Sequence, residues 1–265
     1  MRTIYITISL VLILLISAVT LSLWRTDHQQ KMYEGSFQSR HTYSVLISTD
    51  TTLSNVTFYF PCPVKDNISF IEPTNMTNNL EKGDSPWEYG LVDTEHGLML
   101  LMKTDMIVPK RFVAVEGYTY YGNNIDPNET KIQEYDSYSE IRSIIRSMHY
   151  FVHMPDNHII DTKNPLGREM LLSPKYNILL TDDSRMSAPE VYVYESMLYA
   201  KYNTSSDANI SIYIDTSGSN SWKIKLYQSN WYVETIDVQL SGSQDGWVPV
   251  SGLLGTGKGV YREPA

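Results

Sequence analysis

The sequence predicts an all-β protein, in which an antiparallel β-sandwich domain is tethered by a single N-terminal transmembrane helix. Three observations predict it: an uncharged stretch of 22 residues near the N-terminus, apolar residues that alternate with polar ones from residue 41 onward, and clusters of Gly, Ser, Asn and Asp between the alternating runs. Alternation with a period of two is typical of strands with one buried and one solvated face, which antiparallel sheets allow. A chain of 265 residues has room for one large β domain or two small ones.

Residues Thr3 to Trp24 form the predicted anchor, and Arg2 and Arg25 flank them. At about 1.5 Å of rise per residue, a helix of this length spans a hydrocarbon core of about 30 Å. A cleaved signal peptide is the alternative. Its apolar region is usually about 7–15 residues long and ends at a small-x-small site, whereas this stretch is longer and has only poor sites of that kind. We therefore predict a retained anchor at 1–25 and a polar spacer at 26–40.

The side of the membrane is predicted from Asn-X-Ser/Thr sequons. The count of basic residues around the helix does not favour an external C-terminus, but long domains are translocated largely regardless of that count. Six sequons are present, roughly twice the number that chance gives, although Asn-rich β loops also make sequons by accident. The candidate glycosylation sites are Asn55, Asn67, Asn75, Asn128, Asn203 and Asn209. We predict a single-pass cell-membrane protein with its C-terminal domain outside, and we prefer Asn67 and Asn75 because loops leave the amide accessible.

The β domain is predicted over residues 41–265. The runs HTYSVLISTD (41–50) and NVTFYFP (55–61) alternate, with a turn between them, and predict a first hairpin. The run LVDTEHGLMLLM (91–102) predicts a second hairpin, in which Gly97 supplies the positive φ of a tight turn. The run RFVAVEGYTYYG (111–122) is a further strand candidate.

The segment 122–190 is predicted to be rich in loops. SYSEIRSIIRSMHYFVH (137–153) has isoleucines at helical spacing after a capping box, but the same residues would also suit a β-branched strand, and both readings stay open. DTKNPLGREMLLSPKYN (161–177) contains two prolines and is interpreted as an ordered loop that crosses the domain.

The segment 191–265 is predicted to form a C-terminal sheet. Ile210, Ile212 and Ile214 share one face, a turn is predicted at DTSGSN (215–220), and Trp222 is expected in the core on the return strand. WYVETIDVQL (231–240) alternates again, and SGSQDGW (241–247) predicts the next turn.

These segments carry a resemblance to a group of proteins. A single membrane helix followed by STDTTLSNVTFYFPCPV, LVDTEHGLML, IDTKNPLGREMLLSPKYN, YVYESMLYAKYNTS and SGSQDGWVPVSG resembles membrane-anchored, β-rich envelope proteins of methanogenic and related archaea. The resemblance covers most of the chain after residue 40. It implies an archaeal envelope location and one β-rich unit, and no activity, cofactor or catalytic residue carries over from the group.

Charge and motifs weigh against several classes of function. After Arg25 the chain has 30 acidic residues against 19 Lys and Arg, and so negative a surface repels the phosphates of nucleic acids. GLLGTGKG (252–259) lacks the Ser/Thr and the helix that a phosphate-binding loop needs. His149 and His153 would share a metal only on a helix, and Cys62 is expected to be a small buried residue. We therefore predict no catalytic, cofactor-binding or metal-binding residues, and a protein that is not an enzyme.

Two aromatic residues are the best ligand candidates. Trp231 and Tyr227 are out of phase with the residues expected in the core, and exposed aromatic rings can stack on sugars. The leading hypothesis is a non-enzymatic envelope protein with a structural or surface-interaction role, whose partner is a surface-layer protein or glycan. The alternatives are an extracytoplasmic carbohydrate-binding module and a subunit of an extracytoplasmic enzyme.

Overall fold

The computed structural model describes residues 2–72, 87–109, 114–115, 118–119, 144–153 and 158–261. Helix α1 extends over Arg2–Ser36, and an 18-residue window within its part Leu10–Ser36 has a mean hydropathy of 1.7, so the helix is long and apolar enough to span a membrane. The polar residues expected to form a spacer continue this helix, and the first strand begins only two residues after it ends. The junction between helix and domain is therefore Phe37 alone.

Fourteen strands follow within the described residues. In chain order they are β1 (Gln38–Thr49), β2 (Leu53–Phe60), β3 (Cys62–Val64), β4 (Glu88–Thr94), β5 (Gly97–Ile107), β6 (Ala114–Val115), β7 (Tyr118–Thr119), β8 (Ile144–His153), β9 (Leu171–Ser173), β10 (Tyr176–Thr181), β11 (Glu190–Asn203), β12 (Asn209–Lys223), β13 (Tyr227–Ser241) and β14 (Gln244–Gly259).

Ten of these strands form one sheet, in the order β4-β5-β2-β11-β14-β13-β12-β1-β8, with β10 paired to β11 beside β2. All their pairings are antiparallel, and the sheet curls into half a barrel. The predicted class, antiparallel β behind one apolar helix, is confirmed. In a sandwich the two walls would be separate sheets. Here both walls belong to one sheet, which is continuous through β11, β14 and β13.

The core fills the concave side of this sheet. An inner layer covers it, in which β3 pairs with β9 and the segment 158–175 crosses the opening. Tyr43 on β1 donates a hydrogen bond to the carbonyl of Pro61, 3.0 Å away. Pro61 directly follows β2, so this bond joins the two walls of the half-barrel. Its neighbours in the core include Phe58, Phe60, Leu198 and Ile212, none of which is exposed. Of the segment 161–177, interpreted from the sequence as an ordered crossing loop, residues 161–170 are irregular, whereas Leu171–Ser173 form β9 and β10 begins at Tyr176.

The prediction of a first hairpin is wrong. The two strands exist and a turn at 50–52 separates them, but β1 pairs with β12 and β8 whereas β2 pairs with β5 and β11. The turn carries the chain from one wall of the half-barrel to the other. The second predicted hairpin is confirmed, because β4 and β5 pair directly and Gly97 has a φ of +99°.

The turn predicted at 215–220 is also wrong. These residues lie inside β12, which is continuous for 15 residues, and the chain reverses only at 224–226. Trp222 is buried as expected, whereas Leu226 at the real turn is 77% exposed. The turn predicted within 241–247 is confirmed between β13 and β14.

The open choice at 137–153 is settled for the described part, since β8 makes Ile144–His153 a strand. His149 and His153 therefore lie on a strand and not on one face of a helix, which a shared metal would need. Of the strand candidate at 111–122, the described residues form the short pair β6 and β7.

Candidate functional site

A shallow groove of about 320 Å³ lies on the outer face of the half-barrel, across β1, β12 and β13. Its floor and walls are polar apart from two aromatic rings. The lining residues are Gln38, Arg40, Ser217, Ser219, Ser221, Tyr227, Ser229 and Trp231. Both ligand candidates from the sequence, Trp231 and Tyr227, line this one groove.

Strand geometry explains why the serines gather there. Successive side chains of a strand point to opposite faces, so Ser217, Ser219 and Ser221 project outward while Thr216 and Asn220, on the same strand, are buried. Register then sets the neighbours. Ser219 lies between Arg40 on β1 and Trp231 on β13. The hydroxyls thus form a row at a spacing of two residues.

The inner side of the same strands is held by a buried amide pair. Asn220 and Asn230 are cross-strand partners, and the Nδ2 of Asn220 donates to the Oδ1 of Asn230 at 2.9 Å. Asn220 also bonds both backbone groups of Ile160, and Thr162 donates to Asn230 at 2.8 Å. Buried amides with these partners are satisfied, so they fix β12 and β13 beneath the groove.

The two aromatic rings are placed differently. Trp231 is 36% exposed and packs against the backbone of Gly259, where an added Cβ would lie 2.7 Å from the indole ring. Tyr227 is 71% exposed, and its hydroxyl donates to Ser221 at 3.1 Å. Trp231 is therefore held by its neighbours, and Tyr227 offers a more exposed ring at the edge of the groove.

The serine hydroxyls differ in how they are engaged, since Ser217 lies 2.7 Å from the Thr42 hydroxyl whereas Ser219 and Ser221 make only long bonds as donors. Ser219 and Ser221 donate to the carbonyls of Arg40 and Gln38 at 3.4 and 3.5 Å, which is long for a hydroxyl donor. A ligand hydroxyl at an ordinary distance would compete well for such groups. The lining contains no carboxylate, imidazole or thiol, so it offers hydrogen bonds, stacking and the positive charge of Arg40.

The ionisable residues of the interior form a separate cluster. Lys175 contacts the carboxylate of Glu234, whose other oxygen accepts a hydrogen bond from the Leu172 amide at 2.8 Å. Their side chains are 11% and 0% exposed, so a solute does not reach them. Cys62 is also buried, as predicted, and burial raises the pKa of its thiol to about 12. The buried pair of Lys175 and Glu234 is therefore a structural feature of the interior.

Metal ligands do not converge in the described residues. No group of three or more His, Cys, Asp and Glu side chains lies close enough there to hold an ion. The glycines of GLLGTGKG lie in strand β14, where Gly252 and Gly259 make room for rings of neighbouring strands.

Four of the six sequons fall in the described residues, and Asn75 and Asn128 lie outside them. Asn55, Asn67, Asn203 and Asn209 are all exposed. Asn67 stands in the turn closed by Lys65 and Ile68 with a φ of +60°. The Nδ2 of Asn209 donates to the Asp50 carboxylate at 3.0 Å. Their use as glycosylation sites stays a prediction.

The groove's polar residues were missed by the sequence reasoning. The signal was present as serines at 217, 219 and 221, but small polar residues in DTSGSN also predict a turn, and that prediction concealed the strand. A scan of the chain against protein-family models finds no match, and searches of curated proteins and of solved structures find no similar chain.

Proposed function

We propose that the protein is a membrane-anchored, non-enzymatic envelope protein whose extracytoplasmic β domain binds glycan in the outer-face groove. The observation that carries the proposal is the convergence of Trp231 and Tyr227 with a row of serine hydroxyls in one groove. Sugars present apolar ring faces and equatorial hydroxyls, which suit an aromatic platform beside hydrogen-bonding side chains. The charge of Arg40 would favour an acidic sugar.

The lining of the groove favours binding over catalysis. General acid–base and nucleophilic chemistry need carboxylate, imidazole or thiol groups in contact with substrate. The groove has none of these, and the carboxylates Glu169 and Glu234 are buried inside the half-barrel. An enzyme subunit is therefore the weaker proposal.

The experiment that tests this function is glycan binding by the full-length protein in nanodiscs. Arrays of envelope polysaccharides and N-glycans identify a ligand, and calorimetry then measures its affinity for wild type, Trp231→Ala and Tyr213→Ala. Tyr213 has the same exposed fraction as Trp231, 36%, and lies on β12 outside the groove, which makes it a matched control.

We expect Trp231→Ala to weaken binding by about tenfold or more, equivalent to about 1.4 kcal/mol, while Tyr213→Ala leaves it unchanged. Both variants should retain cooperative melting. The proposal fails if wild type binds no glycan, or if both substitutions have the same effect on affinity.

A further inference from the structure

The turn between β12 and β13 exposes two large apolar or aromatic side chains beside two lysines. Leu226 is 77% exposed and Tyr227 is 71% exposed, and Lys223 and Lys225 next to them are exposed as well. We call residues 223–227 the proximal turn. Leu226 is more exposed than any apolar side chain of the domain that the structure describes.

The register of the sheet places the proximal turn beside the end of α1. Strand β1 starts at Gln38, directly after the helix, and Gln38 lies opposite Ser221 near the end of β12. Because β1 and β12 are antiparallel, β12 runs toward the anchor and its turn lies at that end of the domain.

Direct contacts hold the turn there. The amide of Lys223 donates to the Ser36 hydroxyl at 2.8 Å, and this hydroxyl lies 3.1 Å from the Lys223 carbonyl. The ring of Trp222 packs edge-on against Tyr33 of α1, with centroids 5.7 Å apart. The turn is therefore fixed to the part of the helix that leads out of the apolar span.

The dimensions bring the turn close to the bilayer. Residues 25–36 of the helix rise about 18 Å beyond the apolar span. Tyr227 is the cross-strand partner of Lys223, so the backbone of Leu226 lies only one residue, about 3.5 Å, beyond the contact with Ser36, and its side chain extends further toward the membrane. The polar headgroup region adds about 5–8 Å on each side of the hydrocarbon core. A helix tilt of about 20°, the average for transmembrane helices, directed to the side of the turn brings Leu226 to the headgroup region.

The charges of the turn suit a phospholipid surface. The chain carries a net charge of −9, yet the proximal turn has two lysines and no acidic residue. Lysine ammonium groups attract headgroup phosphates, and Leu and Tyr side chains partition into the interface between headgroups and acyl chains.

We propose that the proximal turn is a second membrane contact, in which Lys223 and Lys225 bind lipid phosphates and Leu226 and Tyr227 enter the interface. The contact holds the anchor-proximal end of the domain against the bilayer. Tyr227 also lines the groove, whereas Lys223, Lys225 and Leu226 lie outside it, so the contact is tested at these three residues independently of glycan binding.

Site-specific fluorescence quenching tests the contact in the full-length protein. Cys62 is fully buried, so a thiol-reactive, environment-sensitive fluorophore can be directed to a single introduced cysteine. Leu226→Cys probes the turn, Leu15→Cys probes the anchor, and Asp207→Cys probes an exposed loop at the far end of the domain. The labelled proteins are reconstituted into vesicles of phosphatidylcholine and phosphatidylglycerol that contain brominated phospholipid.

We expect strong quenching at Leu15→Cys, clear quenching at Leu226→Cys and none at Asp207→Cys. Adding Lys223→Gln and Lys225→Gln to the Leu226→Cys protein should reduce its quenching at least twofold. The proposal is overturned if Leu226→Cys is quenched no more than Asp207→Cys, or if the anchor probe itself is not quenched. Unchanged quenching after removal of the lysines would overturn their binding to phosphate.

Discussion

The interior histidine His41 is a single residue whose burial affects the stability of the whole domain. It is 1% exposed and stacks on Phe70, with ring centroids 5.3 Å apart. Its Nδ1 lies 3.3 Å from the Tyr232 hydroxyl, and its Nε2 lies 3.8 Å from the Glu169 carboxylate. Burial, with a smaller contribution from the charge of His158, lowers the pKa of His41 to about 4. The carboxylate is beyond hydrogen-bonding distance, so we expect burial to dominate.

The unfolded chain, in which histidine has a pKa of about 6.5, binds a proton more tightly than the folded chain. Stability is therefore lost as the pH falls from about 6.5 to about 4, by up to about 3 kcal/mol. Urea unfolding at several pH values should show this loss, and His41→Gln should reduce it. His96→Gln, at a partly exposed position, is the control and should keep the slope of wild type. An identical slope in His41→Gln would contradict the prediction.

Two pairs of neighbouring strands meet through a tyrosine that lies over a glycine. Tyr194 on β11 is opposite Gly252 on β14, and Tyr232 on β13 is opposite Gly218 on β12. An added Cβ would lie 2.1 Å from the Tyr194 ring at Gly252 and 2.4 Å from the Tyr232 ring at Gly218. Each ring covers the backbone of a glycine on the neighbouring strand, and it thereby joins two strands that carry core residues.

Gly252→Ala is expected to destabilise the domain by about 1–3 kcal/mol or more, because the buried ring has no free space into which it can move. Gly90→Ala is the matched control in strand β4, where the nearest atom to an added Cβ is 3.8 Å away. It should be neutral or slightly stabilising, since alanine restricts the unfolded chain. Chemical denaturation measures both, and equal stability of the two variants would contradict the role of the glycine.

The existence of most strands could be predicted from alternation, but their partners could not. Alternation predicted β1 and β2 correctly, yet it assigned them to each other, because a strand's partner depends on distant residues: β2 pairs with β5 and β11, and β1 pairs with β8 and β12. Strand β12 was hidden for another reason. Its inner face carries Thr216, Gly218 and Asn220, which are buried through hydrogen bonds and a covering ring and not through apolar character. Small polar residues of this kind are typical of a turn. The sequence therefore predicted neither this part of the strand nor the row of serines that it carries.

Across the whole molecule, three of the described sequons lie at the end of the domain away from the anchor. Asn55 is near the start of β2, Asn203 ends β11 and Asn209 begins β12, and these strand ends meet where β1 finishes at Thr49. Strand β1 has 12 residues, so this end is about 40 Å from the helix junction. These three candidate sites therefore lie at the end of the domain opposite the helix.

We expect mass spectrometry of native membranes to find glycan at Asn67 and Asn203 but little at Asn209, whose amide nitrogen donates to Asp50. Asp50→Ala should raise the occupancy at Asn209 because it frees that amide. Equal occupancy at all described sites would contradict the role of Asp50.

Protease added to intact cells should remove the domain. Full protection from protease would contradict the external location.

The direct passage from α1 to β1 has a mechanical consequence. Tension applied between the helix and the far end of the domain would enter the domain through β1, which is hydrogen-bonded to β12 on one side and β8 on the other. Those bonds lie across the direction of pull, so they would be loaded in shear and would have to break together and not one at a time. A strand held on both sides in this way would resist force far better than a terminal strand peeled from an edge.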